Sequence, residues 1–344
     1  MDVHFISGGI NEVAYTSIIV PTTFGIIGLF GLIGNCIVIF AVIKTSKFKS
    51  SSSRVPDIFF INLSVVNLLF LLGMPLVVHQ LLGNGVWHFG AILCTIITAM
   101  DILSQFTSTY ILTAMTIDRY FAIVYPLTST RFRKPTIATL TICFIWVLAF
   151  LSVTPIWMYA RLVPLPGGGF GCVIRLPNPQ TDIYWFTLYL FFLAFAIPLA
   201  VISIAYKRIL LKVRSCGTVI SQRTARLRTK RVARIAIAIC LTFFICWAPI
   251  YILHLVQLVQ NEPLWPMQYA YIVAIGMGYA STCLNPFIYI ILSDNFRKTF
   301  CTSVRPSAEH QINTMVARIE KDKERQQDQH HRQRHRTTGS QRPN

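Results

Sequence analysis

Seven runs of mostly apolar residues, each long enough to cross a bilayer as a helix, dominate the chain. They lie at roughly 16–43, 57–82, 91–125, 136–159, 183–206, 235–258 and 268–292, and the last four hold no Asp, Glu, Lys or Arg at all. A hydrocarbon core of about 30 Å takes about 20 residues of helix. Only helices and closed barrels satisfy their own backbone in lipid. Runs this long, without the ten-residue alternation of a barrel strand, predict helices. The fold expected is therefore an all-α membrane protein, a seven-transmembrane helix bundle at 16–292.

The charge pattern orients that bundle. The chain is 54% apolar and 13% charged, yet carries a formal charge of +18. The apolar content excludes a soluble enzyme, a disordered protein and a nucleic-acid binder, whatever the basic balance suggests. Of the 31 Lys and Arg residues, 28 fall in three alternate loops and in the tail after 292. The segment from Lys207 to Arg234 alone holds ten, with no acid. The positive-inside rule then places residues 1–15 outside and the tail in the cytoplasm. No cleavable leader is expected, because the first apolar run is too long for one and lacks a basic stretch before it. The tail predicts a short amphipathic helix at 293–302. Residues 303–344 should be largely disordered, since Arg325–Asn344 contains nothing apolar.

Nine cysteines divide by side. Cys36, Cys143, Cys240, Cys246 and Cys283 fall within spans, and Cys216 and Cys301 face a reducing cytoplasm. Only Cys94 and Cys172 remain outside, so a Cys94–Cys172 disulfide is expected. Cys301 follows Phe296, Arg297, Lys298 and Phe300 and is a candidate for lipidation.

Ionisable groups in a membrane are costly and mark function by default. Asp101 lies seven residues along a helix from Cys94, about 10 Å inward. Gln105 follows at i+4 on the same face. No Lys or Arg lies inside a neighbouring span to pair with Asp101. This suggests a counter-ion for a cationic ligand; the alternative is a structural acid hydrogen-bonded to Tyr279 or Gln105. Asp118-Arg119-Tyr120 comes 18 residues after Asp101, at the inner face. A neighbouring acid can hold the arginine there, and its release presents a cationic fork to a partner. Prolines within spans (Pro75, Pro155, Pro198, Pro249 and Pro286) should kink their helices. Pro249 sits in Cys246-Trp247-Ala248-Pro249, with a bulky indole beside the kink.

Together, these motifs resemble the rhodopsin-like (class A) G-protein-coupled receptors. The matching residues are Gly34-Asn35, Asn62-Leu63-Ser64, Cys94, Asp118-Arg119-Tyr120, Trp146 and Cys172. They continue with Pro198, Cys246-Trp247-Ala248-Pro249 and Asn285-Pro286-Phe287-Ile288-Tyr289. Order and spacing agree over about 16–300. Within the family the chain is similar to the somatostatin- and opioid-related peptide branch. Val55-Pro56-Asp57-Ile58-Phe59, Ser104-Gln105-Phe106-Thr107-Ser108 and Leu176-Pro177-Asn178-Pro179 carry the closer likeness, to receptors of a cyclic peptide hormone.

The resemblance implies that Asp101 binds an arginine of that peptide, with Gln105, Trp247, Tyr251, His254 and Tyr279 around it. It implies Asp118, Arg119, Tyr120, Pro249, Asn285, Pro286 and Tyr289 as the activation switch. Implied partners are G proteins of the Gi/o class and Gq, arrestin and receptor kinases, besides membrane lipid; no cofactor and no nucleic acid is implied. Leu190-Phe191-Phe192-Leu193-Ala194 offers no hydroxyl row for a catechol, and the seventh span has no lysine for a retinal Schiff base. A transporter would show internal repeats or several charges along a pathway. An intramembrane enzyme would show metal ligands or a paired serine and histidine. Neither pattern is in the sequence.

Two departures from the family stand out. Asn67 takes the place of an aspartate that, with Ser108, Ser281 and Asn285, normally binds an allosteric sodium ion, so weak or absent sodium sensitivity is expected. The base of the sixth helix reads Arg228-Thr229-Lys230-Arg231, with no acid to clasp Arg119, leaving Asp118 to hold it. Thr218-Val219-Ile220-Ser221-Gln222 partly matches a ciliary-targeting signal, beside an expected plasma-membrane location.

Overall fold

A computed structural model describes residues 19–46, 51–83, 85–215, 223–259 and 265–292. Residues 1–15, the 293–302 helix, the 303–344 tail, Cys216, Cys301 and the Thr218–Gln222 segment lie outside the described residues, as do the side chains of 228–231.

The described chain runs α1 (Val20–Ser46), α2 (Ser51–Leu82), α3 (Gly90–Val124), α4 (Pro126–Phe132), α5 (Pro135–Ser152) and α6 (Thr154–Tyr159). A hairpin of β1 (Ala160–Pro164) and β2 (Phe170–Ile174) follows. Then come α7 (Pro179–Phe191), one π-helical turn (Phe192–Ala196), α8 (Ile197–Ser215), α9 (Arg223–Val259) and α10 (Trp265–Leu292). Among the described residues, seven helical spans are long and apolar enough to cross a membrane, the fourth made of α5 and α6 and the fifth of α7, the π turn and α8. The expected seven-helix bundle is present, with helices that extend past several of the expected ends. Leu140, Phe144 and Leu151 are more than 60% exposed on one face of α5, as a lipid-facing stripe must be.

Helix α3 is the axis, packed against α2, α5, α8 and α9, while α1 closes the ring against α2 and α10. The close approach of α1 to α10 depends on Gly34, where a Cβ would sit 2.8 Å from the Pro286 Cβ. Asn35 ties the same three helices by polar contacts. Its Nδ2 donates to the carbonyls of Gly31 (2.8 Å) and Thr282 (3.1 Å), and its Oδ1 accepts from Asn67 Nδ2 at 3.1 Å. With no water in a bilayer core, a buried amide has to find protein partners.

The prolines divide into two kinds. Pro75, Pro249 and Pro286 lie inside helices. Pro155 does not kink a continuous helix: α5 stops before Val153, and the proline sits in the first turn of α6. Pro198 differs from it: the chain is helical without a break from α7 through the π turn into α8, and the proline lies just after that turn. A proline lacks an amide hydrogen and has φ preset for a first turn, so restarting a helix costs less than bending one.

The β-hairpin is absent from the sequence expectations. Its strands pair antiparallel, with Leu162 opposite Cys172, around a turn in which Gly168 and Gly169 both adopt positive φ. The Cys94–Cys172 disulfide anchors it to α3 as expected. Thr95 Oγ1 donates to the Ala160 carbonyl at 3.1 Å and Gln80 Nε2 to the Cys172 carbonyl at 3.0 Å, so α2 and α3 both hold it.

Candidate functional site

Two polar sites lie along α3, one near its disulfide-bonded end and one at the opposite end. Near the first, Asp101 Oδ1 accepts a 3.1 Å hydrogen bond from Tyr279 Oη of α10. The alternative partner foreseen in the sequence is thus engaged, but a neutral hydroxyl leaves the negative charge uncompensated. Among the described residues no Lys or Arg forms an ion pair with Asp101. Tyr279 is itself fixed: its ring stacks on Phe70 at 4.2 Å and meets Phe24 edge-on at 5.8 Å.

One turn further along α3, Gln105 Nε2 donates to Tyr251 Oη of α9 at 2.6 Å. Tyr251 packs against Phe195, 4.9 Å between centroids, beside the π turn. Thr109 Oγ1 donates to the Ala194 carbonyl at 3.1 Å, joining α3 to that turn. Trp247 lies 5.8 Å from Phe70 and 5.9 Å from Phe243. Gly278 lies against the indole, where a Cβ would make only an ordinary contact at 3.4 Å. A line of contacts therefore runs from Asp101 through Tyr279 and Phe70 to the indole beside Pro249. His254 stands apart from this line, against Tyr271 (5.6 Å), whose hydroxyl donates to Gln257 Oε1 at 2.7 Å.

Beneath lies a small cavity lined by Asn67, Ser104, Ser108, Trp247, Ser281 and Thr282, among others. Asn67 also lines a neighbouring cavity with Asn285. The four sequence-marked sodium positions thus converge on two adjoining cavities. No carboxylate lines either cavity; Asn67 Nδ2 donates to Asn35 and Ser281 Oγ to the Gly278 carbonyl, so what remains for a cation is neutral oxygens. Asn285 Oδ1 is buried without a protein partner. Hard cations are held by carboxylates and carbonyls in greater number than this.

At the opposite end Arg119, 2% exposed, engages Asp118 Oδ2. The other oxygen of Asp118 accepts from Arg133 Nε at 2.8 Å. Arg133 follows α4, and nothing in its local sequence signals that role. Tyr120 Oη accepts from Arg208 Nη1 at 3.5 Å. Tyr289 packs on Phe60, 4.9 Å between centroids. Phe70, Arg133 and Arg208 carry no sequence signal because each meets its partner across more than ten residues of chain. Among the described residues no group of three His, Cys, Asp or Glu side chains is arranged for a metal.

The sequence profile described as 7 transmembrane receptor (rhodopsin family) matches residues 34–289, from Gly34 to Tyr289. The chain belongs to the rhodopsin family of seven-transmembrane receptors. It is a class A G-protein-coupled receptor, not an enzyme. The receptor is 60% identical over 315 residues to melanin-concentrating hormone receptor 1 of Homo sapiens, covering 92% of this chain and 89% of that protein. The same values hold for melanin-concentrating hormone receptor 1 of Rattus norvegicus. Melanin-concentrating hormone receptor 2 of Homo sapiens is 33% identical, over 87% of this chain and 88% of its own length.

Proposed function

We propose that the receptor is activated by melanin-concentrating hormone, through an arginine of that cyclic peptide placed on Asp101. The supporting observation is a single one: a carboxylate inside the bundle with a hydroxyl but no cation beside it among the described residues. Gln105, Tyr251, Trp247 and Tyr279 surround the arginine, and His254 contacts the peptide nearer the mouth. The likeness to melanin-concentrating hormone receptor 1 supports the choice of ligand. The disulfide-bonded end faces outward at the plasma membrane or primary cilium, and the Arg119 end meets the G protein, since 28 of 31 basic residues fall on that side.

Agonist favours a state in which α9 swings about Pro249 and Arg119 leaves Asp118, with Tyr120, Asn285, Pro286 and Tyr289 repacking. Coupling runs through Gi/o, with Gq as a second route; arrestin and receptor kinases act on the tail, and Cys301 carries a lipid. The other reading retained is a different basic peptide of the somatostatin- and opioid-related branch.

Peptide binding and G-protein activation in Asp101→Asn test the proposal. The variant keeps shape and hydrogen bonding and loses charge, so potency should fall at least a hundredfold, as for an unpaired buried cation at about 3 kcal/mol. Undiminished potency would remove Asp101 from recognition. A response of the wild type to another basic peptide alone would replace the hormone and leave the receptor class standing.

A further inference from the structure

We propose that His79 and His88 form a binding site for a zinc ion at the rim of the bundle, on the disulfide-bonded side. His79 lies in the last turn of α2 and His88 in the connection to α3; both side chains are exposed. Their rings meet edge to face, with centroids 5.5 Å apart and planes at 88°. Zinc binds imidazole nitrogen at about 2.0–2.1 Å, which puts two rings on one tetrahedral ion roughly 5 Å apart between centroids. The two rings therefore already have the spacing of two ligands on one ion.

The backbone beneath it is already fixed. Trp87, adjacent to His88 and buried, donates its amide to the Phe170 carbonyl at 2.7 Å and its indole nitrogen to the Gly90 carbonyl at 2.8 Å. Phe89 packs on His79 at 5.0 Å and on Trp87 at 5.1 Å. Preorganisation of this kind lowers the ordering cost that weakens a surface metal site.

Two protein ligands leave two tetrahedral positions for water. That describes an exchangeable ion and not a structural one, which takes four protein ligands. Bridging His79 to His88 would tie the end of α2 to a connection already bonded to β2, through Trp87–Phe170 and the bridge between Val86 and Gly171. The ion would thus stiffen the frame around the entrance to Asp101. Its access to extracellular zinc rests on the orientation proposed above; the site itself does not.

The test is zinc uptake by the purified full-length receptor in phosphatidylcholine nanodiscs, measured by equilibrium dialysis on wild type, H79A, H88A and the double variant. Nanodiscs open both faces, so the result is independent of orientation, and no hormone is needed. The other histidines, His4, His254, His310, His330, His331 and His335, are the same in all four proteins. Wild type should take up one ion more per receptor than any of the three variants. Equal uptake in all four overturns the site. H79N and H88N serve where an alanine variant fails to fold: lower uptake than wild type supports the site, and equal uptake overturns it.

Discussion

Arg133 Nε donates a 2.8 Å hydrogen bond to Asp118, and the same carboxylate holds Arg119 through its second oxygen. One acid thus serves two arginines, one from the core of α3 and one from the connection after α4. The two compete for its charge, so losing either strengthens the hold on the other.

Arg133→Gln should therefore keep Arg119 bound to Asp118. A partly exposed pair is worth about 1 kcal/mol, which shifts the open population roughly fivefold. Agonist-stimulated nucleotide exchange should fall by that factor while peptide affinity stays within about twofold of wild type. Raised basal exchange would show instead that Arg133 helps to keep the receptor closed.

Tyr279→Phe removes the hydroxyl that orients Asp101 and leaves the ring stacked on Phe70. One neutral hydrogen bond is worth about 1 kcal/mol. Peptide affinity should drop about fivefold in a radioligand assay, with expression unchanged. An unaltered affinity would mean that the hydroxyl does not position the carboxylate.

Asn67 should make agonist affinity the same in sodium and in potassium buffer, because the two cavities it lines carry no charge. Asn67→Asp restores a carboxylate beside Ser108, Ser281 and Asn285. That variant should bind agonist more weakly in sodium than in potassium. Sodium dependence in the wild type would show that the uncharged donor set holds the ion after all.

Asn35→Ala removes two hydrogen bonds that join α1 to α2 and α10, and a third to Gly31 within α1. Hydrogen bonds between membrane helices average about 0.6 kcal/mol, so a loss near 1–2 kcal/mol is expected. A melting curve in detergent should move down by several degrees. A melting temperature equal to wild type would show that the amide is not a structural tie.

The bundle was legible because its cause is local. Seven runs, each free or nearly free of charge, have one low-energy solution in lipid. The disulfide followed from side alone, since only Cys94 and Cys172 remained. Asp101 and Arg119 stood out because a charge in an apolar run is expensive wherever it is folded.

What the sequence left open were pairings across the bundle, where partners are far apart along the chain. Whether Asp101 met Tyr279 or Gln105 was undecided; the packing of Tyr279 on Phe70 settled it and turned Gln105 to Tyr251 instead. The family resemblance marks Asn67 as standing where an acid is usual, and only the structure shows its amide nitrogen bonded to Asn35. Arg133 is one more basic loop residue in the sequence, and only α4 brings it to Asp118; Pro155 promises a kink there, and the helix restarts at it instead. Composition determined this protein's solvent, its topology and the depth of its charges, because those depend on single side chains meeting lipid or water. Only the tertiary structure decided which polar group answers which, because that depends on the geometry with which seven helices pack.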